Sequence, residues 1–473
     1  MTPGAAELRS RLRGIVGEDG LVADEAAEPY LHDHRRLFSG RALAIVRPKD
    51  VAEVAAVLAA CNAAGVAVVP HGGNTSYCGG ATPDASGTQV VVALARLNRI
   101  RAVDAANDSL IAEAGCLLAQ VQASAAAHER LFPLSLGSEG SCQIGGNLST
   151  NAGGTSVLRY GMMRELVLGL EVVLADGRVL ETLTTLRKDN TGYDLKSLFL
   201  GAEGTLGIIT AAALKLFPLA RASATALVAV SGIEAAVGLL GRLRAASSER
   251  VSSFEIMPRS ALELARQHLS GVRDPFATAH PWYVLCELTG SRADEPLGEL
   301  LTGALGAAVA AGEVRDAVLA TSEREREALW YLREHIPEAQ RRAGASLKHD
   351  ISVPVSRLAQ FVARAAPWVA DHVPEGMLVA YGHAGDGNLH FNVSARPGTD
   401  PGAFLARAAE VRRAVHDLVR DFGGSFSAEH GIGQLKVSEL ERYTAAVELD
   451  LMRTVKRALD PKGILNPGKV LRA

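Results

Sequence analysis

Three stretches dense in glycine and small polar residues constrain this chain most. They are PHGGNTSYCGG (Pro70–Gly80), GSEGSCQIGGNLSTNAGG (Gly137–Gly154) and GAEGTLGIIT (Gly201–Thr210). Glycine lacks a Cβ, so such segments let backbone approach a ligand closely. The first follows the short apolar run VAVVP, where backbone N–H groups can face a pyrophosphate. The second is too long and too polar for an ordinary connection in a compact domain, which points to a functional loop. Together they make a dinucleotide cradle the expectation. With 47 glycines in 473 residues, the chain is well above the usual share of roughly 7%, and many of them cluster in such motifs.

Around these loops, residues 41–220 alternate β-rich runs with alanine-rich helical stretches. ALAIVRP, VAVVP, TQVVVALA and SLIAEAG read as strands. DVAEVAAVLAACNAAG reads as a helix capped by Asp50 and ended by Gly65. LGLEVVLADGRVLE reads as a hairpin turning at Asp176-Gly177. This is an α+β pattern. The character changes near residue 220, where RASATALVAV opens a second region. There TSEREREALWYLREHI reads as a helix with a charged outer face, and 402–420 as an amphipathic stretch. The tail LMRTVKRALDPKGILNPGKVL is a helix followed by a Pro/Gly-rich closing segment. The expected division is 1–220, 221–415 and 416–473.

The net charge of −3 comes without any block of like charge, so nothing favours nucleic acid or an anionic membrane surface. The five cysteines, Cys61, Cys78, Cys116, Cys142 and Cys286, form no CxxC and read as reduced thiols. They supply no array for an iron–sulfur cluster. The N-terminus has no apolar signal core, and Glu7, Glu18 and Asp19 argue against a transit peptide. No run approaches the ~18 apolar residues of a spanning helix. A cytoplasmic enzyme of bacterial type is expected.

The second half carries the chemistry. YGHAGDGNLHFNV reads as strand, Gly-Asp-Gly-Asn turn and strand, which sets His383 and His390 side by side. With Glu429 from SAEHGIG, two imidazoles and one carboxylate suit a catalytic divalent metal such as zinc with a position left open. His430 then stands where a general base is wanted. A lone buried histidine is more often a hydrogen-bonded core residue; two across one turn tip the balance. His32 and His34, in LHDHRR, read as a solvated loop, and His416 as a surface residue of an amphipathic helix. Arg333 and Lys348 could grip a substrate carboxylate, although a solvated helix face carries such cations too. Gly463–Lys469 fits GxxxxGK, but Pro467 inside it and Val470 after it exclude a phosphate loop. No GxGxxG opens a helix after the first strand, so a Rossmann nicotinamide enzyme is unsupported.

In order along nearly the whole chain, PHGGNT, GGNLSTNAGG, RYG, LGLEVVLADG, LRKDNTGYDLKSLFLGAEGTLGIIT, YGHAGDGNLHFNV, SAEHGIG and NPGKV resemble one family. It is the FAD-linked D-2-hydroxy acid dehydrogenases of the vanillyl-alcohol oxidase flavoprotein superfamily. The resemblance implies a two-subdomain FAD-binding domain, an α+β substrate (cap) domain, and a small helical C-terminal segment completing the active site. It makes the glycine-rich loops the FAD site. Pro70, His71, Gly72, Gly73, Asn74 and Thr75 would hold the pyrophosphate region. Gly137, Ser141, Gly145, Gly146, Asn147, Thr150, Asn151 and Gly153 would line it. Glu203, Gly204 and Ile209 would contact the adenosine and ring portions, and Asn466 and Lys469 would reach the flavin from the tail. Asn74 stands where some relatives attach FAD through histidine, so the FAD would be non-covalent.

The same resemblance matches His383, His390 and Glu429 to metal ligands, His430 to the base, and Arg333, Lys348 and Asn392 to substrate-binding residues. Pro337 replaces a threonine of the glutarate-type relatives. It offers no hydroxyl, and a helix from Arg333 cannot run through it without a kink or restart. The implied reaction oxidises a D-2-hydroxy acid to the 2-oxo acid, D-2-hydroxyglutarate foremost and D-malate next. D-lactate or glycolate is the alternative that Pro337 favours. An electron-transfer flavoprotein or quinone-linked carrier would take the electrons, and a homodimer is the implied assembly.

Overall fold

The computed structural model describes residues 3–472. The helix Val51–Ala64 begins where the Asp50 side chain accepts from the Glu53 N–H at 2.9 Å and ends at Gly65 in the left-handed conformation, φ 63°. Both caps satisfy backbone groups that a helix end leaves open, as the sequence marks. The flanking apolar runs form a three-stranded parallel sheet, in the order Ala44–Val46, Val90–Ala93, Val68–His71. A five-stranded antiparallel sheet runs in the order Ile100–Asp104, Ser109–Glu113, Ile208–Lys215, Val167–Val173, Val179–Thr182. Its last hairpin turns through Gly177 at φ 88°, the backbone that the Asp-Gly pair announces.

The chain divides into two compact units. The first gathers residues up to 153, 161–219 and everything from 429 on; the second holds 154–160 and 220–428. The change of character near 220 is therefore a unit boundary, whereas the returning segment starts at 429 rather than 416. The cause is the helix Ala408–Asp421, which drives Val411, Val415 and Val419 into the core of the second unit. His416, expected at the surface, lies on the same helix and is 2% exposed. The apolar stripe of a core-facing helix is wide enough to take in the position beside Val415.

The second unit is built on an eight-stranded antiparallel sheet. Its strands run Val314–Leu319, Ala222–Val230, Trp282–Gly290, Val251–Pro258, Gly376–His383, Asn388–Ala395 and Ser346–Leu347, with Asp350–Ser352 also on Asn388–Ala395. Along Ala222–Val230, Ala226, Val228 and Val230 enter one core cluster, and Leu227 and Ala229 the other. Both faces are covered, so its sequence reads as an unbroken apolar run rather than an alternation. Register then decides which polar groups share a face. Glu255 lies opposite His383, Tyr381 opposite His390, and His390 opposite Asp350. Directly opposed residues project to the same side of a sheet. Of the kink or restart expected at Pro337, the chain takes the restart: Glu323–Glu334 ends, and Ile336–Ala343 begins with the proline in its first turn.

Within the first unit, the chain's end adds to the parallel sheet through a bridge from Leu465 to Val68. Asp460, 2% exposed, fixes that end. Its carboxylate accepts from Ile464 N–H at 3.0 Å, from Leu465 N–H at 2.8 Å and from the Lys456 ammonium at 2.6 Å. Asp460→Ala would leave the Ile464 and Leu465 N–H groups unpaired and take the carboxylate from Lys456, which keeps the Thr205 and Leu465 carbonyls, a loss of about 3 kcal/mol. The urea-unfolding midpoint is expected to fall accordingly; a midpoint equal to the parent's would refute that role.

Candidate active site

The glycine-rich loops meet in the first unit. A Cβ on Gly73 would lie 2.2 Å from the Ser141 carbonyl oxygen, so only glycine lets these two loops touch. Asn74, at φ 53°, donates its amide to the His32 carbonyl at 2.7 Å and so shapes the turn. The helix Ile144–Ser149 carries Gly145, Gly146 and Asn147, and Thr150 bonds back to the Gly146 carbonyl at 2.9 Å. Ser141 donates to the Ser138 carbonyl. Pro70 lies within the strand Val68–His71, Ile209 is buried in Ile208–Lys215, and Thr75, Gly137, Gly153 and Gly204 lie in the connecting loops.

Three buried polar atoms here have no hydrogen-bond partner among the described residues: His71 Nε2, Gln143 Oε1 and Asn466 Oδ1. Each such atom ordinarily costs about 1–3 kcal/mol. Glycine-rich loops bearing such atoms fit a polar group such as FAD. Burial, against weaker support from the backbone of Gly72 and Pro29, drives the His71 imidazole down to about 4. Burial likewise lowers the Lys469 ammonium to about 8, with Asp84 opposing.

Some expected cofactor contacts serve the protein itself. The buried Glu203 carboxylate accepts from Ile432 N–H at 2.7 Å and Gly433 N–H at 2.8 Å. Its carbonyl accepts from the Asn466 amide at 2.8 Å, and that amide also reaches the Gly80 carbonyl at 3.0 Å. Asn151 Oδ1 accepts from Arg164 N–H at 2.8 Å. These three fasten the loops. They also hold the segment just after Glu429 and His430, where Tyr77 meets the His430 ring edge-on at 4.7 Å.

The second unit presents the histidine pair. A Cβ on Gly387 would fall 2.0 Å from the Val353 carbonyl, so the turn needs glycine there, at φ 83°. His383 and His390 stand with ring centroids 5.6 Å apart. His383 Nδ1 meets Glu255 Oε1 at 2.7 Å. A carboxylate behind an imidazole is the usual partner of a metal-bound histidine. Arg333, 5% exposed, donates through Nε to Glu255 Oε2 at 2.8 Å; its Nη2 lies 2.6 Å from the same oxygen in poorer alignment. Its guanidinium stacks over Tyr381 at 5.0 Å. Burial alone would raise the Glu255 carboxyl, but Arg333 and then His383 outweigh it and hold it at about 2.

Within the second unit, Asp350 lies opposite His390 on the neighbouring strand. Asp350 is thus a donor that the sequence did not mark, and it accepts from Asn388 at 3.0 Å. Asn392, expected at the substrate, is buried; it donates to Gln340 at 3.0 Å and accepts from His349 N–H at 3.1 Å. Lys348 is exposed between the short strands Ser346–Leu347 and Asp350–Ser352. His34 is exposed and His32 bonds to Ser39, as a solvated loop would. Sequence reasoning missed Glu255, Asp350, Gln143 and Tyr77. For Glu255 a signal existed: one acid inside the otherwise buried strand VSSFEIMP.

Residues 42–183 match the family described as FAD binding domain, and residues 219–470 match FAD linked oxidases, C-terminal domain. The chain is 40% identical to D-2-hydroxyglutarate dehydrogenase, mitochondrial, of Bos taurus, over 97% of this chain and 84% of the relative. It is 39% identical to D-2-hydroxyglutarate dehydrogenase of Xanthomonas citri pv. viticola, over 94% of this chain and 92% of the relative. Among solved structures, p-cresol methylhydroxylase with substrate bound superposes with a TM-score of 0.79 at 18% identity, covering 100% of this chain and 98% of that one. 4-Ethylphenol oxidase from Gulosibacter chungangensis gives 0.76 at 17% identity, covering 99% and 97%. At these identities the solved structures speak for the fold alone, and it is the α+β fold of the vanillyl-alcohol oxidase type.

The His71 imidazole titrates near 4 in the folded chain and near 6.5 when unfolded. Between these values the unfolded chain binds the extra proton, so acidification from about 6.5 to about 4 destabilises the fold. His71→Gln is expected to remove this contribution. Its melting temperature relative to the parent's should rise as pH falls through that window, and a pH-independent difference would refute the assignment.

Proposed function

The chain belongs to the FAD-linked oxidase family and is an FAD-dependent oxidoreductase, and on that premise we propose that it oxidises D-2-hydroxyglutarate to 2-oxoglutarate, with D-malate as a second substrate. The likeness to D-2-hydroxyglutarate dehydrogenases over nearly the whole chain supports the substrate. The observation that carries the catalytic reading is the Glu255–His383 contact of 2.7 Å beside His390, a donor set already braced for a metal.

His383, His390 and Glu429 would hold zinc or another divalent metal, with Asp350 an adjoining carboxylate. The glycine-rich loops would hold FAD without a covalent bond. When bound, FAD supplies the hydride acceptor and the metal the Lewis acid that acidifies the substrate hydroxyl. His430 takes the hydroxyl proton on a ring nitrogen while hydride leaves the α-carbon, giving the 2-oxo acid. Arg333 and Lys348 bring positive charge for the substrate carboxylates, and Glu255 keeps Arg333 and His383 in place. None of the five cysteines is in a disulfide, and all are buried. In this reading the electrons would pass to a separate carrier, an electron-transfer flavoprotein or a quinone-linked protein, in the cytoplasm. Pro337 favours a second reading, D-lactate or glycolate oxidation, because it brings no hydroxyl to the first turn of its helix.

Anaerobic mixing with D-2-hydroxyglutarate and D-malate should bleach the flavin; a chelator should abolish this and zinc restore it. Bleaching by D-lactate or glycolate alone would move the assignment to the second reading. His430→Ala should keep FAD but lose at least about a hundredfold in flavin reduction, the lower range for general-base removal; parental rates would sink the base assignment. Glu255→Gln should weaken metal affinity about 10–100-fold, checked by competitive titration against a zinc chelator.

A further inference from the structure

Tyr77 has no part in the chemistry assigned above, yet it stands beside its centre. It lies in the loop Pro70–Gly80 and meets the His430 imidazole edge-on, with centroids 4.7 Å apart and planes at 80°. His34 approaches its ring at 5.9 Å, and the Arg35 guanidinium lies 5.9 Å from its centroid. The residues next to both partners are tied to each other. The Cys78 carbonyl accepts from Gln434 N–H at 2.8 Å, and Cys78 Sγ lies 3.4 Å from the Gly431 carbonyl. A Cβ on Gly433 would fall 2.1 Å from the Cys78 carbonyl, so no side chain can wedge these segments apart. The Tyr77–His430 contact is thus a fixed feature of the first unit.

The Tyr77 ring is half-buried, but its hydroxyl makes no hydrogen bond to any described residue and is not a sealed atom. A phenol that only packs would as readily be phenylalanine. A phenol with a free hydroxyl against a general base can meet what that base acts on. It is a neutral donor at physiological pH, and a 2-hydroxy acid carries its carboxylate on the carbon bearing the reacting hydroxyl.

We propose that Tyr77 is a further substrate-contacting residue, its ring holding His430 edge-on and its hydroxyl donating to the carboxylate of the 2-hydroxy acid on which His430 acts. The inference rests on the function proposed above.

The test compares FAD-loaded parent, Tyr77→Phe and Tyr77→Ala by anaerobic flavin reduction over a range of D-2-hydroxyglutarate concentrations. Losing a hydrogen bond to a charged acceptor should raise KM about tenfold in Tyr77→Phe, with kcat within about twofold and FAD content and melting temperature unchanged. Tyr77→Ala should lower kcat as well, because the imidazole loses its edge contact. A purely structural role predicts full rescue by phenylalanine, so parental KM in Tyr77→Phe overturns the proposal while leaving the function intact. If Tyr77→Ala does not fold, the phenylalanine variant alone decides. A parent that no 2-hydroxy acid reduces overturns the function and this inference together.

Discussion

A buried carboxylate receiving two backbone N–H groups sets the first unit in place. Glu203, 8% exposed and at φ 51°, holds Ile432 and Gly433 from a segment more than two hundred residues further along. An acid so buried needs donors, and an isolated pair of loop amides needs an acceptor. Each supplies the other's need. Through this contact the chain's return is joined to the glycine-rich loops, and His430 takes its place against Tyr77. The Asn466 amide, split between the Glu203 and Gly80 carbonyls, closes the same knot from the tail.

A second buried acid organises the other unit. Glu255 sits in a strand whose every residue is buried, opposite His383, and it also receives the Arg333 guanidinium. A carboxylate there is tolerated because two positively polarised groups converge on it, which the direction of its titration records. The arrangement orients an imidazole and a guanidinium with one group. Removing that group would loosen both the imidazole and the guanidinium.

Much of the fold was legible along the chain because local rules govern it. Asp50 and Gly65 bound their helix, Asp176-Gly177 turns its hairpin, and Pro337 restarts its helix, since each acts within a few residues of itself. The glycines of the first loops were readable for the same reason: Gly73 is needed for close backbone approach wherever its partner comes from. His416 was misjudged because a helix face was assigned without knowing what lay against it. The donors that the Glu203 carboxylate meets were not legible, because a motif fixes where a residue stands, not which groups its side chain meets.

The sequence by itself determined the element types, the glycine-rich loops, the histidine pair across one turn, and the family to which they point. Those depend on φ preferences, spacing and period, which are properties of neighbouring residues. Only the tertiary structure decided that Glu255 braces His383, that Asp350 faces His390, that Glu203 fastens the returning segment, and that Tyr77 stands against His430. Each joins residues far apart in the chain. Strand register and burial choose such partners, and no local signal encodes a register between strands more than a hundred residues apart.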